Sequence, residues 1–197
     1  MKMHIVKIAL FAVMMMIGVS SSNAQQVYNL SAGSELKVSG TSTLHDWTMK
    51  STSGSGKATF TMAGDQLQSI SSLSVSLKVQ SLKSGKSGMD DKAYEALKAK
   101  ENPTITFTLR EMKNLKQSGS AITYTAIGDL TVSGVKRAVT FTGTGKAVAD
   151  KFQFDGKTSF KLTDFKMDPP TAMFGTIKTG DDVTVSFNVT FKNSATL

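Results

Sequence analysis

The chain has 197 residues, 40% of them hydrophobic and 19% charged, with a formal charge of +8 and no cysteine. That size fits one domain, and the composition is that of a globular chain, not of a disordered tail or a bundle of membrane helices. Without cysteine there is no disulfide framework, thiol nucleophile, thiolate zinc or iron-sulfur site, or lipid-modified cysteine.

Lys2 and Lys7 precede an apolar run over residues 8–19, and Ser22-Asn23-Ala24 puts small residues at the minus three and minus one positions read by a signal peptidase. The run is too short for a spanning helix, which needs roughly 20 residues. The expectation is a cleaved secretory signal peptide over 1–24 and a single domain over 25–197, periplasmic or secreted. The leader holds two lysines, His4 and no acid, so its removal lowers the formal charge to +6 and leaves His45 as the one histidine. Only Arg110 and Arg137 are arginines, and the lysines are scattered. Nucleic-acid binding uses arginine forks and aromatic stacking on one face, so the expectation is no nucleic acid partner. The basic charge serves solubility or attraction to anionic lipid.

In chain order, apolar residues alternating with polar ones predict strands near 34–42, 45–51, 55–62 and 68–80, the last carrying Leu73, Val75, Leu77 and Val79 at every second position. The alternation then lapses. Between residues 89 and 102, Asp90 and Asp91 come first, Ala93, Tyr94 and Leu97 share a helical face, and Lys98 and Lys100 come last, in keeping with a helix macrodipole. Asn102-Pro103 stops that helix. A lone helix in a strand series is expected to cover an edge or an end of the sheet. Strands follow near 103–112, 121–132, 136–146, 151–163 and 182–192; the last alternates without a break from Val183 to Phe191. Ser53-Gly54, Gly64-Asp65, Ser118-Gly119, Ser133-Gly134 and Asp155-Gly156 are turn signals between them. Short links favour antiparallel neighbours, and such a sheet with one apolar face closes as a barrel or packs as a sandwich. A membrane barrel would need aromatic girdles, and one Trp and three Tyr do not supply them.

The sequence identifies no catalytic set. His45 and Asp46 are adjacent in a strand and point to opposite faces, and no third partner completes a serine triad. Asp90-Asp91 reads as a helix start, and Asp181-Asp182, Asp164 and Asp168 as turn residues. No calcium-loop spacing or other metal signature is present, and no cofactor is expected. Asn29-Leu30-Ser31 and Asn188-Val189-Thr190 match the glycosylation pattern by chance in a chain rich in Ser and Thr.

Three segments, in this order, resemble the YceI-like family of exported bacterial proteins: Asn102-Pro103 with Ile105-Thr106-Phe107, Gly128-Asp129-Leu130-Thr131-Val132-Ser133-Gly134-Val135-Lys136-Arg137, and Phe160-Lys161-Leu162-Thr163-Asp164-Phe165. The resemblance spans roughly residues 27–192. It implies an all-β fold, an antiparallel lipocalin-like β-barrel of about eight strands with one short helix, holding a polyisoprenoid or similar amphiphilic lipid without catalysis. An eight-stranded barrel can enclose one ligand. Its lining is expected from Phe60, Val75, Leu77, Phe107, Leu109, Leu130, Val132, Phe141, Phe160, Leu162, Val185 and Phe187, with His45 and Trp47 at the mouth. His45 falls where many members carry histidine followed by an apolar residue and glycine; Asp46-Trp47 stands here instead. Lys83, Lys86, Lys92, Lys98 and Lys100 near the helix would give a weak, salt-sensitive contact with an anionic membrane surface. A homodimer is compatible with the sequence. The competing expectation is an exported structural or stress-related interaction module with a filled core; an exported hydrolase stands third.

Overall fold

A computed structural model describes residues 23–196, so residues 1–22 of the leader expected over 1–24 lie outside the described residues. The strands are β1 (Asn23–Leu30), β2 (Glu35–Ser42), β3 (Trp47–Ser51), β4 (Ser55–Ala63), β5 (Gln66–Lys78), β6 (Thr104–Ser118), β7 (Ala121–Val132), β8 (Val135–Val148), β9 (Lys151–Lys161), the two-residue β10 (Thr171–Ala172) and β11 (Ile177–Asn193). One α-helix, α1 (Ser87–Ala96), lies between β5 and β6.

Every pairing is antiparallel, and the order β1-β4-β5-β6-β7-β8-β9-β11 returns on itself where β11 pairs with β1, Leu30 opposite Phe191 and Tyr28 opposite Asn193. Eight strands thus form a closed ring, the lipocalin-like barrel that the family resemblance implied where alternation alone left barrel and sandwich open. The seam is divided. Toward its C-terminal end β11 bonds β1, whereas over Thr179 to Asn188 the same edge bonds β2, which carries β3 beside it. A single bridge from Lys50 to Lys83 then ties β3 to the segment after β5. On the other side of β11, β8 and β9 pair only from Thr142 to Val148, so they splay at the opposite end. A 3-10 turn, Leu162–Phe165, fills that gap with the buried Phe165 ring, and Arg137 Nε donates to the Asp164 carbonyl at 2.8 Å.

Two packed clusters divide the interior by height. The lower one, by the β7–β8–β9–β1 end, is aromatic: Tyr28 stacks on Phe60 at 4.4 Å between centroids, and Phe60 meets Phe152, Phe154 and Phe191 edge-on or tilted at 5.3 to 6.1 Å. The upper one gathers Met49, Val79, Leu97, Val132 and Phe165 beneath α1. The helix therefore covers one end of the barrel. Tyr94 anchors it, its hydroxyl donating to the carbonyls of Leu82 at 2.7 Å and Gln80 at 3.1 Å.

Five expectations are corrected. His45 and Asp46, expected at adjacent positions of a strand, lie in the turn between β2 and β3, because the strand begins only at Trp47. The helix runs from 87 to 96 and not to 102, because Lys98 turns left-handed with φ of 50°. Residues 23–30, without a strand expectation, form β1; its inward positions Gln26, Tyr28 and Leu30 are too polar on average to stand out. Asp155-Gly156 is not a turn. It lies within β9, where the missing side chain of Gly156 admits the Phe187 ring and the Tyr124 hydroxyl, and the chain reverses instead at Ala149, with φ of 51°. Asp181-Asp182 likewise lies within β11, beside the register shift between Thr179 and Val183, and not in a turn.

Candidate ligand cavity

Above the aromatic floor the barrel is hollow. A cavity of about 470 Å³ runs from the floor residues Phe154 and Phe191 to a mouth between the 42–47 turn, the start of α1 and the 170–179 segment. That volume lies in the range of ligand sites, about 300–1,000 Å³. Alternation builds its wall. On β11, Val183, Val185, Phe187, Val189 and Phe191 line it, about 26 Å of strand at 3.3 Å per residue. Their neighbours face out and pair across strands, Ser159 with Thr184 at 2.9 Å and Gln153 with Asn188 at 3.1 Å. The walls are almost wholly apolar, so the cavity offers a ligand dispersion contacts along its length and few hydrogen bonds.

Of the residues expected to line the barrel, Val75, Leu77, Phe107, Leu130, Val132, Phe141, Phe160, Leu162, Val185 and Phe187 surround this space, with His45 and Trp47 at the mouth. Phe60 and Leu109 do not. Phe60 is completely buried among the floor aromatics, where neighbouring rings leave no free volume, and Leu109 packs against the same cluster. Sequence reasoning missed the helix contribution, Met89, Ala93 and Leu97, although their spacing of four is a helical stripe, and missed the floor residues Tyr124 and Phe154.

Tyr124 is placed by glycine. Gly143 and Gly156 face each other across β8 and β9, and a Cβ at either would crowd the Tyr124 hydroxyl. The phenol thereby reaches the Asp155 carbonyl, to which it donates at 3.0 Å. Burial, with the Asp155 charge as a lesser cause, holds its pKa far above the ordinary tyrosine value, so it is a neutral donor satisfied within the wall.

At the mouth the Trp47 indole lies over Gly40, its register partner, which has no side chain to obstruct it, and its Nε1 donates to the Thr41 carbonyl at 3.0 Å. Ser42 closes the turn by donating to the His45 carbonyl at 2.7 Å and accepting from the His45 amide at 3.1 Å. Among the described residues no hydrogen bond joins the exposed His45 ring to Asp46. The carboxylates do structural work. Asp90, buried, accepts from the Ser84 amide at 2.8 Å and hydroxyl at 2.7 Å and faces Lys83 at 3.7 Å; Asp181 accepts from the Thr163 amide and hydroxyl. Of the helix lysines, Lys86 and Lys92 border the mouth, Lys92 paired with Glu95 at 2.7 Å, while Lys98 and Lys100 are exposed beyond the helix end. Among the described residues no group of three or more His, Cys, Asp or Glu side chains is disposed to hold a metal.

The YceI-like domain matches residues 22–191. The chain belongs to that family. Solved structures with the same fold include a polyisoprenoid-binding domain of Saccharophagus degradans implicated in plant cell wall breakdown, with a TM-score of 0.65 and 12% identity over 85% of this chain and 99% of that one. BcnA of Burkholderia cenocepacia gives 0.61 and 21% identity over 79% and 95% of the two chains. The YceI protein of Campylobacter jejuni gives 0.55 and 22% identity over 72% and 81%. Among curated proteins there is no match. At these identities the likeness establishes a shared barrel. The YceI-like chain thus carries a family fold around a cavity walled by its own residues.

Proposed function

We propose that this YceI-like protein binds one long apolar or amphiphilic lipid of the polyisoprenoid kind inside its barrel and acts as a non-catalytic carrier outside the cytoplasm. The observation that carries this reading is the apolar cavity, long and narrow, open at one end and closed by aromatic packing at the other. An extended hydrocarbon chain gains contact along the whole length of such a space, and a polar end is left at the mouth beside His45, Lys86 and Lys92. The family supports the choice of ligand, since its structural neighbour in Saccharophagus degradans is a polyisoprenoid-binding domain. The leader-like residues 1–24 support export, and cleavage after Ala24 would leave β1 from Gln25 onward still paired to β4.

Organic extraction of the purified protein followed by mass spectrometry tests the proposal. A long-chain isoprenoid or related lipid in stoichiometric amount is the expected result. An empty extract, together with failure of the delipidated protein to take up an added isoprenoid alcohol, would sink it.

A further inference from the structure

Three of the large apolar side chains most exposed among the described residues gather at the cavity mouth: Leu44, Met173 and Phe174, at 66%, 69% and 110% relative exposure. Leu44 is the tip of the turn between β2 and β3, and Met173 and Phe174 are the tip of the turn between β10 and β11. Thr43 locks the two turns side by side. Its amide donates to the Lys178 carbonyl at 3.0 Å, its hydroxyl to the Thr176 carbonyl at 3.3 Å, and it accepts from the Lys178 amide at 3.1 Å. The second turn is built at a cost, for Met173 and Phe174 both take left-handed backbone, with φ of 50° and 55°, before Gly175 at 85°. Side chains with a Cβ disfavour that region; elsewhere, as at Ala149, a single such residue stands alone or beside glycine, whereas here two large apolar ones occupy it in succession. The strain aims two apolar side chains outward into water.

We propose that these tips are a membrane-docking device, inserting into the lipid surface so that the mouth faces the bilayer. The inference rests on the carrier reading and adds the surface from which the lipid is taken or to which it is given. The tips project from the rim as single side chains on two turns, and a bilayer deforms around such projections. Their neighbours Ala172 and Ile177 already line the cavity, so the exposed apolar surface is continuous with the interior. Lys178 flanks the tips and Lys86 and Lys92 stand across the mouth, but Asp46 and Asp168 share the rim. Apolar insertion therefore supplies most of the attraction, and charge adds a salt-sensitive part.

The test uses delipidated parent protein, Phe174→Ser alone, and the combination Leu44→Ser, Met173→Ser and Phe174→Ser. Val148→Ser, an exposed valine at the opposite end, is the control. Flotation with phosphatidylethanolamine–phosphatidylglycerol vesicles reads docking, and uptake of a fluorescent isoprenoid alcohol from detergent reads the cavity. The combination should partition onto vesicles about tenfold or more weakly than the parent, Phe174→Ser should fall between, and the control should match the parent. All four should take up the probe equally from detergent. Equal flotation of parent and combination, or no flotation of the parent, overturns the docking inference. A parent that fails to take up the probe from detergent overturns the carrier reading instead, and flotation still decides docking.

Discussion

The hollow interior makes single side chains on its wall informative. Val75, Val132 and Val185 come from three strands and all border the cavity. Tryptophan at a close-packed site costs about 1–3 kcal/mol; here the added ring extends into free volume, so at least one of Val75→Trp, Val132→Trp and Val185→Trp should melt near the parent when both are ligand-free. The same variants should retain less extracted lipid, because the ring takes its place, and Thr184→Lys on the outer face should change neither property. His45→Gln should keep lipid uptake within a few-fold, since the ring borders the mouth and, among the described residues, no hydrogen bond holds it. Asp90 gives a pH signature. Burial alone would raise its pKa, but hydrogen bonds from the Ser84 hydroxyl and amide and the Lys83 charge outweigh it and leave the carboxyl below the ordinary value. A lowered folded-state value means that the ionised group stabilises the fold fully above the unfolded value of about 4, and that this contribution fades as pH falls through the lower, folded one. The gap in melting temperature between the parent and Asp90→Asn should accordingly be widest near neutrality and shrink in acid.

At the scale of elements, what was legible in the sequence was whatever repeats with period two. The run from Val183 to Phe191 could only be a strand with one oily face, and it is the strand that lines the cavity from mouth to floor. Where one feature had to serve two purposes the signal failed. Gly156 looks like a turn residue, yet it is a thin place in β9 that the Tyr124 hydroxyl requires, and nothing local distinguishes the two uses. Phe60 alternates as well as any lining residue, and whether a ring faces free volume or other rings depends on strands distant in sequence. The end of α1 was misplaced because Pro103 marks where a helix cannot continue, not where this one stops. Tyr94 ties the helix to the segment before it, so Tyr94→Phe, which removes a hydroxyl proton shared between two carbonyls, should destabilise the protein by about 0.5–1.5 kcal/mol. Hydrogen exchange should then rise first in α1 and the segment before it, ahead of the strands.

As a whole the molecule has a solid end and a hollow end within one ring of strands, so the two ends should unfold in one transition. Phe60→Ala opens a hole in the aromatic floor and should cost about 3–5 kcal/mol in urea unfolding. Trp47 fluorescence at the far end and backbone circular dichroism should report the same shifted midpoint; separated midpoints would mean that the two ends unfold independently. The divided seam of β11 also bears on how the molecule comes into being. This strand bonds β9 along one edge and β2 and β1 along the other, and among the described residues it is the last strand in chain order. A ribosome delivers the partners first, so β1, β2 and β9 must wait with unpaired edges until β11 emerges, and the contacts that close the ring are among the most distant in sequence. Until β11 emerges the chain consequently stays open and threadable, and it becomes a barrel only with that strand.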